Sequence, residues 1–273
     1  MRLSRSARRR EHGVRAHPAE ERSTDVMNDA MWAGTVSITG YGKDELEAYL
    51  ARPLGDAPRG GVVVIHHMPG YDPGTKEFVR TFAAHGFAAI APNLYSREGA
   101  GVSPDDQAAA ARARGGVPDE QLVGDVAGAA AHLNSLDHAD GRIGVIGHCS
   151  GGRHAFLAAC ELDLDAAVDC YGAFVVNDPP EDYPTSARSI VSKAPDLSCP
   201  LLGLFGEEDR FPAPDEVAAL DAELTRLGKE HEFHTYPGAG HAFFAVERPA
   251  FRPAAAKDGW QKIFAFLDRH LGA

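Results

Sequence analysis

The pentapeptide Gly147-His148-Cys149-Ser150-Gly151 constrains this chain more than any other stretch. It follows the apolar run Arg142-Ile143-Gly144-Val145-Ile146 and precedes Gly152-Arg153-His154-Ala155-Phe156-Leu157-Ala158-Ala159. A short strand, a tight turn and a helix are therefore expected, with a thiol at the apex. Glycines are needed on both sides because side chains there would strike the strand or the helix. The turn lifts the thiol clear of the sheet edge and sets it at a helix N-terminus, whose partial positive charge favours thiolate over thiol. Alone, five such residues fit a buried structural cysteine equally well.

The rest of the chain alternates strand and helix. Thr35 to Thr39 and Leu46 to Leu50 read as an edge hairpin, and Val62-Val63-Val64-Ile65 as a parallel strand covered on both faces. Further strands are expected over Phe87–Pro92, Ala166–Tyr171, Leu201–Phe205 and Glu232–Tyr236. Helices are expected over Thr75–His85, Pro104–Arg114, Pro118–Leu136, Asp215–Leu227 and Ala254–Leu271. The fold class is α/β, a mostly parallel central sheet with helices on both faces, which binds ligands at the carboxyl ends of its strands. Val175 to Ser198, rich in prolines and acids, is too long for a plain connection and suggests a short helix or a lid.

Two more residues fall where a thiol nucleophile needs them. Asp209 directly follows the Leu201–Phe205 strand, and His241 directly follows the Glu232–Tyr236 strand. Nucleophile, acid and histidine thus occur in the chain order of a strand-end triad. In that arrangement Cys149 attacks an acyl carbon, His241 holds and returns the proton, and Asp209 orients the imidazole. The backbone N–H of Ser150 and one from the loop after Ile65 would hold the oxyanion.

Composition narrows the alternatives. The 273 residues are 44% hydrophobic and 24% charged, globular values, with a formal net charge of −12 that argues against nucleic acid as the partner. Cys149, Cys160, Cys170 and Cys199 show neither C-x-x-C nor ribbon spacing, and no H-E-x-x-H pair occurs, so no metal or other cofactor is expected. No run is long enough to suggest a membrane span, and a catalytic thiol is suited to the cytoplasm. The domain reading is an Arg-rich tail over 1–26, disordered or lying ahead of a start at Met27 or Met31, and one domain over 27–273.

Taken together, Ala91-Pro92-Asn93-Leu94-Tyr95-Ser96-Arg97, Gly147 to Gly152, Tyr171-Gly172, Gly206-Glu207-Glu208-Asp209-Arg210-Phe211 and Gly240-His241-Ala242-Phe243 resemble the dienelactone hydrolase (carboxymethylenebutenolidase) family of α/β-hydrolases. The resemblance spans Val62 to His241. It implies a Cys-His-Asp triad on Cys149, His241 and Asp209, Met68 as the second oxyanion donor, and Arg97 holding a substrate carboxylate. The chain departs from the family at two points. His67 stands where a thiol-activating glutamate is expected, and Ala245 where a second substrate-binding arginine is expected. The implied activity is hydrolysis of small esters or lactones by a monomer or small homo-oligomer. Two other readings stay open: a general carboxylesterase or thioesterase on the same triad, and a non-catalytic redox sensor using Cys149.

Overall fold

The computed structural model describes residues 30–55, 60–99, 102–137 and 139–272; the arginine-rich stretch lies outside them. Among the described residues eight strands form one sheet in the order β1-β2-β4-β3-β5-β6-β7-β8. They are β1 (Met31–Thr39), β2 (Glu45–Pro53), β3 (Gly61–Ile65), β4 (Ala88–Pro92), β5 (Ile143–His148), β6 (Ala166–Cys170), β7 (Leu201–Gly206) and β8 (His231–Tyr236). The hairpin β1–β2 pairs antiparallel and joins β4 antiparallel, while β4, β3, β5, β6, β7 and β8 run parallel.

Among the described residues six helices cover the sheet: α1 (Pro73–Ala84), α2 (Pro104–Ala113), α3 (Asp119–Asn134), α4 (Ser150–Glu161), α5 (Pro214–Leu227) and α6 (Pro253–Leu271). Because successive strand residues point to opposite faces, the central strands feed two cores. Val63, Ile65 and Val145 join the core under α2 to α5. Val62, Val64 and Ile146 join the one under α1 and α6. Burial on both faces explains why these strands read as unbroken apolar runs.

The predicted elements form within a few residues of their expected bounds. Local chemistry sets several ends: Asp72 caps α1 by accepting from the Thr75 N–H at 2.8 Å with Pro73 in the first turn, and Gly228, at φ 67°, ends α5. The Val175–Ser198 stretch carries only a 3-10 turn, Val191–Asp196. Among the described residues no helix is long and apolar enough to cross a membrane.

β3 lies between β4 and β5, so the chain leaves β3 toward one side of the sheet and later returns on the other. That reversal opens a crevice at the carboxyl ends of β3 and β5. The β5–α4 turn stands in it. A Cβ on Gly147 would lie 1.8 Å from the Gly151 carbonyl oxygen, and one on Gly151 would lie 2.4 Å from that of Ile65. Backbone is pressed on backbone, so neither contact can relax through a side chain. Gly151→Ala is therefore expected to lower the unfolding free energy by about 3 kcal/mol in urea titration. A change within about 0.5 kcal/mol, usual for unconstrained surface sites, would show that the turn tolerates a side chain.

Candidate functional site

Cys149 occupies the apex of the turn at φ 58°, ψ −125°. Such a left-handed backbone is strained for a residue with a side chain. It is held by hydrogen bonds from the Cys149 N–H to the Cys170 carbonyl at 3.0 Å and from the Gly152 N–H to the Cys149 carbonyl at 2.9 Å. The first ties the turn to the neighbouring strand β6, and the second starts α4.

The loops after β7 and β8 bring Asp209 and His241 to the thiol. His241 Nδ1 donates to Asp209 Oδ2 at 2.8 Å, and the Phe211 N–H donates to the other oxygen, Oδ1, at 2.9 Å. Asp209 is buried, so these bonds act in a poorly solvated place. A side-chain hydrogen bond also joins His241 to the Cys149 thiol. Tyr171 packs edge-on against the imidazole, ring centres 5.1 Å apart.

The electrostatics of the pair follow from these contacts. Burial pushes the Cys149 thiol up, but the His241 hydrogen bond and charge, together with the N–H groups of Ser150 and Met68, bring it below the ordinary value. Burial pushes His241 down, but the Asp209 and Cys149 hydrogen bonds outweigh it and raise the imidazole to about 10. Each group therefore favours the charged form of the other, which shifts the pair toward thiolate and imidazolium. The two N–H groups expected to receive an oxyanion are thus already directed at the sulfur.

The loop after β3 is held from three sides. His66 Nδ1 donates to the His67 carbonyl at 2.9 Å, and His66 Nε2 accepts from the Leu94 N–H at 3.2 Å. Both contacts suit the neutral ring, and burial lowers His66 to about 4. Tyr95 donates its hydroxyl to the Met68 carbonyl at 3.0 Å, which orients the Met68 peptide. His67 bonds Asp72 through Nε2 at 2.7 Å, so a side-chain contact ties the loop to the cap of α1. Burial would raise Asp72, but the bonds from His67 and Thr75 take it below the usual carboxylate range. Among the described residues, the hydrogen bonds at the thiol come from His241, Ser150 and Met68, not from His67.

Arg97 is elsewhere. Its guanidinium bonds both oxygens of the fully buried Asp125 at 2.8 and 2.9 Å, Asp44 at 2.8 Å and the Tyr41 carbonyl at 3.1 Å. It lines neither cavity beside the thiol. The expectation that it faces the thiol is corrected: Asp125 on α3 and Asp44 after β1 hold the side chain as a structural clamp. The buried carboxylate needs that cation, and nothing near Arg97 in the sequence marks the partner 28 residues on.

Two cavities border Cys149, with volumes of about 700 Å³ and 380 Å³. The larger is floored by Cys149, Ser150 and Met68 and walled by Tyr183 to Arg188 from the long connection after β6. Arg153 also lines it; this side chain is 2% exposed and forks onto Asp119 at 2.8 and 3.1 Å. Arg112, Arg188 and Arg210 reach the same cavity and form no ion pair among the described residues. No cluster of three or more histidine, cysteine or acidic residues among the described ones could hold a metal ion.

This geometry coincides with a set of known proteins. The dienelactone hydrolase family model matches residues 46–271. A protein of Escherichia coli (strain K12) provisionally named carboxymethylenebutenolidase is 34% identical over 263 residues, covering 94% of each chain. A Bradyrhizobium protein provisionally named 2-oxo-3-(5-oxofuran-2-ylidene)propanoate lactonase is 29% identical over 241 residues, covering 86% of this chain and 94% of that one. The crystal structure of a provisionally named dienelactone hydrolase from Klebsiella pneumoniae superposes with a TM-score of 0.75 at 32% identity, covering 88% of this chain and 99% of that chain. The chain therefore belongs to the dienelactone hydrolase family, α/β-fold hydrolases of lactone and ester bonds.

Proposed function

We propose that the chain hydrolyses small esters or lactones through an acyl-enzyme on Cys149. The observation that carries this reading is the convergence on one sulfur of His241, backed by Asp209, and of the Ser150 and Met68 N–H groups. A sensor thiol needs no second donor aimed at a developing oxyanion; an acyl-transfer nucleophile does.

In the proposed sequence the Cys149 thiolate attacks the carbonyl carbon, and the carbonyl electron pair moves onto oxygen between the two N–H groups. Collapse breaks the carbon–oxygen bond, and the leaving oxygen takes the proton from His241. His241, neutral again, removes a proton from water, and the hydroxide attacks the thioester. Collapse of this second intermediate releases the acid and restores the thiolate–imidazolium pair. Asp209 stays ionised throughout and holds the ring orientation. His67, bonded to Asp72, positions the oxyanion loop rather than taking the thiol proton. Arg112, Arg188 and Arg210, which form no ion pair among the described residues, suit substrates that carry a carboxylate, whereas Arg97 is bonded to Asp125 and Asp44.

Hydrolysis of a dienelactone beside an uncharged activated ester tests the reading. The wild type is expected to cleave at least one, and Cys149→Ala to lose at least about 10⁴-fold in kcat, as for removal of a triad nucleophile. Equal rates in mutant and wild type would exclude Cys149 as nucleophile and return the sensing reading. Dienelactone turnover shows that the rim arginines suffice for an anion; turnover of the neutral ester alone reassigns the pocket to uncharged substrates.

The pH profile tests the pair. A depressed thiol starts the rise of kcat/KM at lower pH than the ~8.5 of a free cysteine. The raised imidazole, at about 10, ends the plateau there, because above it no proton remains for the leaving group. Asp209→Asn removes the bond that raises His241, so the falling limb is expected at lower pH and kcat about 10²- to 10⁴-fold down. A falling limb unmoved by this change would detach Asp209 from His241.

A further inference from the structure

The smaller cavity has no part in the scheme above. Cys149, His241 and His66 border both cavities and so form the partition between them. Behind that partition lies an aromatic chamber bounded by α1, the loop after β8 and α6. Phe78 stacks on His148 with ring centres 4.5 Å apart, and Phe244 meets the same imidazole edge-on at 5.3 Å. Trp260 packs against Phe78 and Phe244 at 5.4 and 5.6 Å. Ala245 lines the chamber, and Val246, 72% exposed, stands at its border. Glu77, Glu247, Arg248 and Lys257 also line it.

His148 forms part of the chamber wall. It is 4% exposed, and its Nε2 has no hydrogen-bond partner. Burial lowers the ring to about 3, so it is neutral. An unmet imidazole nitrogen in the interior is unfavourable.

An ester carbonyl carries two arms, the acyl chain and the alkoxy group. In a monocyclic lactone both are one ring and occupy one side of the nucleophile. In an open-chain ester they diverge. We propose that the substrate is an open-chain ester with two sizeable arms, one in the arginine-rimmed cavity and the other, a flat aromatic group, in the chamber of Phe78, His148, Phe244 and Trp260. The proposal rests on the hydrolase reading and adds to it the shape of the substrate. Both volumes fall in the range of small-molecule sites, and the aromatic side chains lining the chamber offer ring faces and edges to a planar group.

The test compares benzyl phenylacetate, which offers an aromatic arm in either orientation, with methyl phenylacetate and benzyl acetate, which offer one each. The wild type is expected to favour the two-armed ester by at least about tenfold in kcat/KM over either one-armed ester, roughly 1.4 kcal/mol. Filling the chamber with Ala245→Phe is expected to bring that ratio to about one. Val246→Trp, at an exposed position where folding is not at risk, is expected to lower the ratio in the same direction. Wild-type turnover with a ratio near one, or a ratio that neither variant changes, overturns the chamber assignment and leaves the hydrolase reading standing. No turnover of these esters or of a dienelactone would overturn both.

Discussion

The backbone of Cys149 is the constraint on which the site depends. Its left-handed conformation costs of order 1–3 kcal/mol, and two backbone hydrogen bonds and two glycine contacts hold it. Relaxing the turn toward an ordinary strand or helix conformation would turn the thiol away from His241. The neighbouring strands share this dependence. β6 supplies the Cys170 carbonyl that anchors the Cys149 N–H, and β3 ends in the Ile65 carbonyl against which Gly151 packs. The sheet order, with β3 between β4 and β5, places both supports beside one crevice.

Around that turn the histidines divide by solvation and partner. His66, His148 and His154 are lowered to about 4, 3 and 3 by burial and are neutral at physiological pH. His241 meets a buried carboxylate on one side and the sulfur on the other, and its pKa rises instead. A neutral His66 can then accept from Leu94 and donate to His67, fixing the loop that presents Met68. A protonated His66 would lose the acceptor and place a second positive charge beside the imidazolium. Burial therefore keeps positive charge off His66, His148 and His154 and leaves His241 as the ring whose charged form is favoured.

Much of this was legible in the chain. The unbroken apolar runs of β3 and β5, the glycine-flanked thiol and the order of Cys149, Asp209 and His241 follow from local rules, and the structure brings the three side chains together. What local rules did not reveal are partnerships made across long sequence distances. Arg97 lies at a strand end, where a substrate contact is a reasonable expectation, but Asp125 and Asp44 hold it in a salt bridge. Tyr95, two residues before it, orients the Met68 peptide through a single hydroxyl. The chamber beside His148 arises from Phe78, Phe244 and Trp260 meeting from three segments. Sequence periodicity reports that such residues are apolar, not that they leave space between them.

The proposed hydrolysis requires a covalent intermediate at one sulfur, and the most direct test is the intact mass of the protein after acid quench during turnover of an activated ester. The wild type is predicted to carry one added acyl group, mapped by fragmentation to the peptide containing Cys149, with a product burst near one equivalent. Steady turnover with no adduct, or with the acyl group on any other residue, would contradict the assignment of Cys149 as the nucleophile.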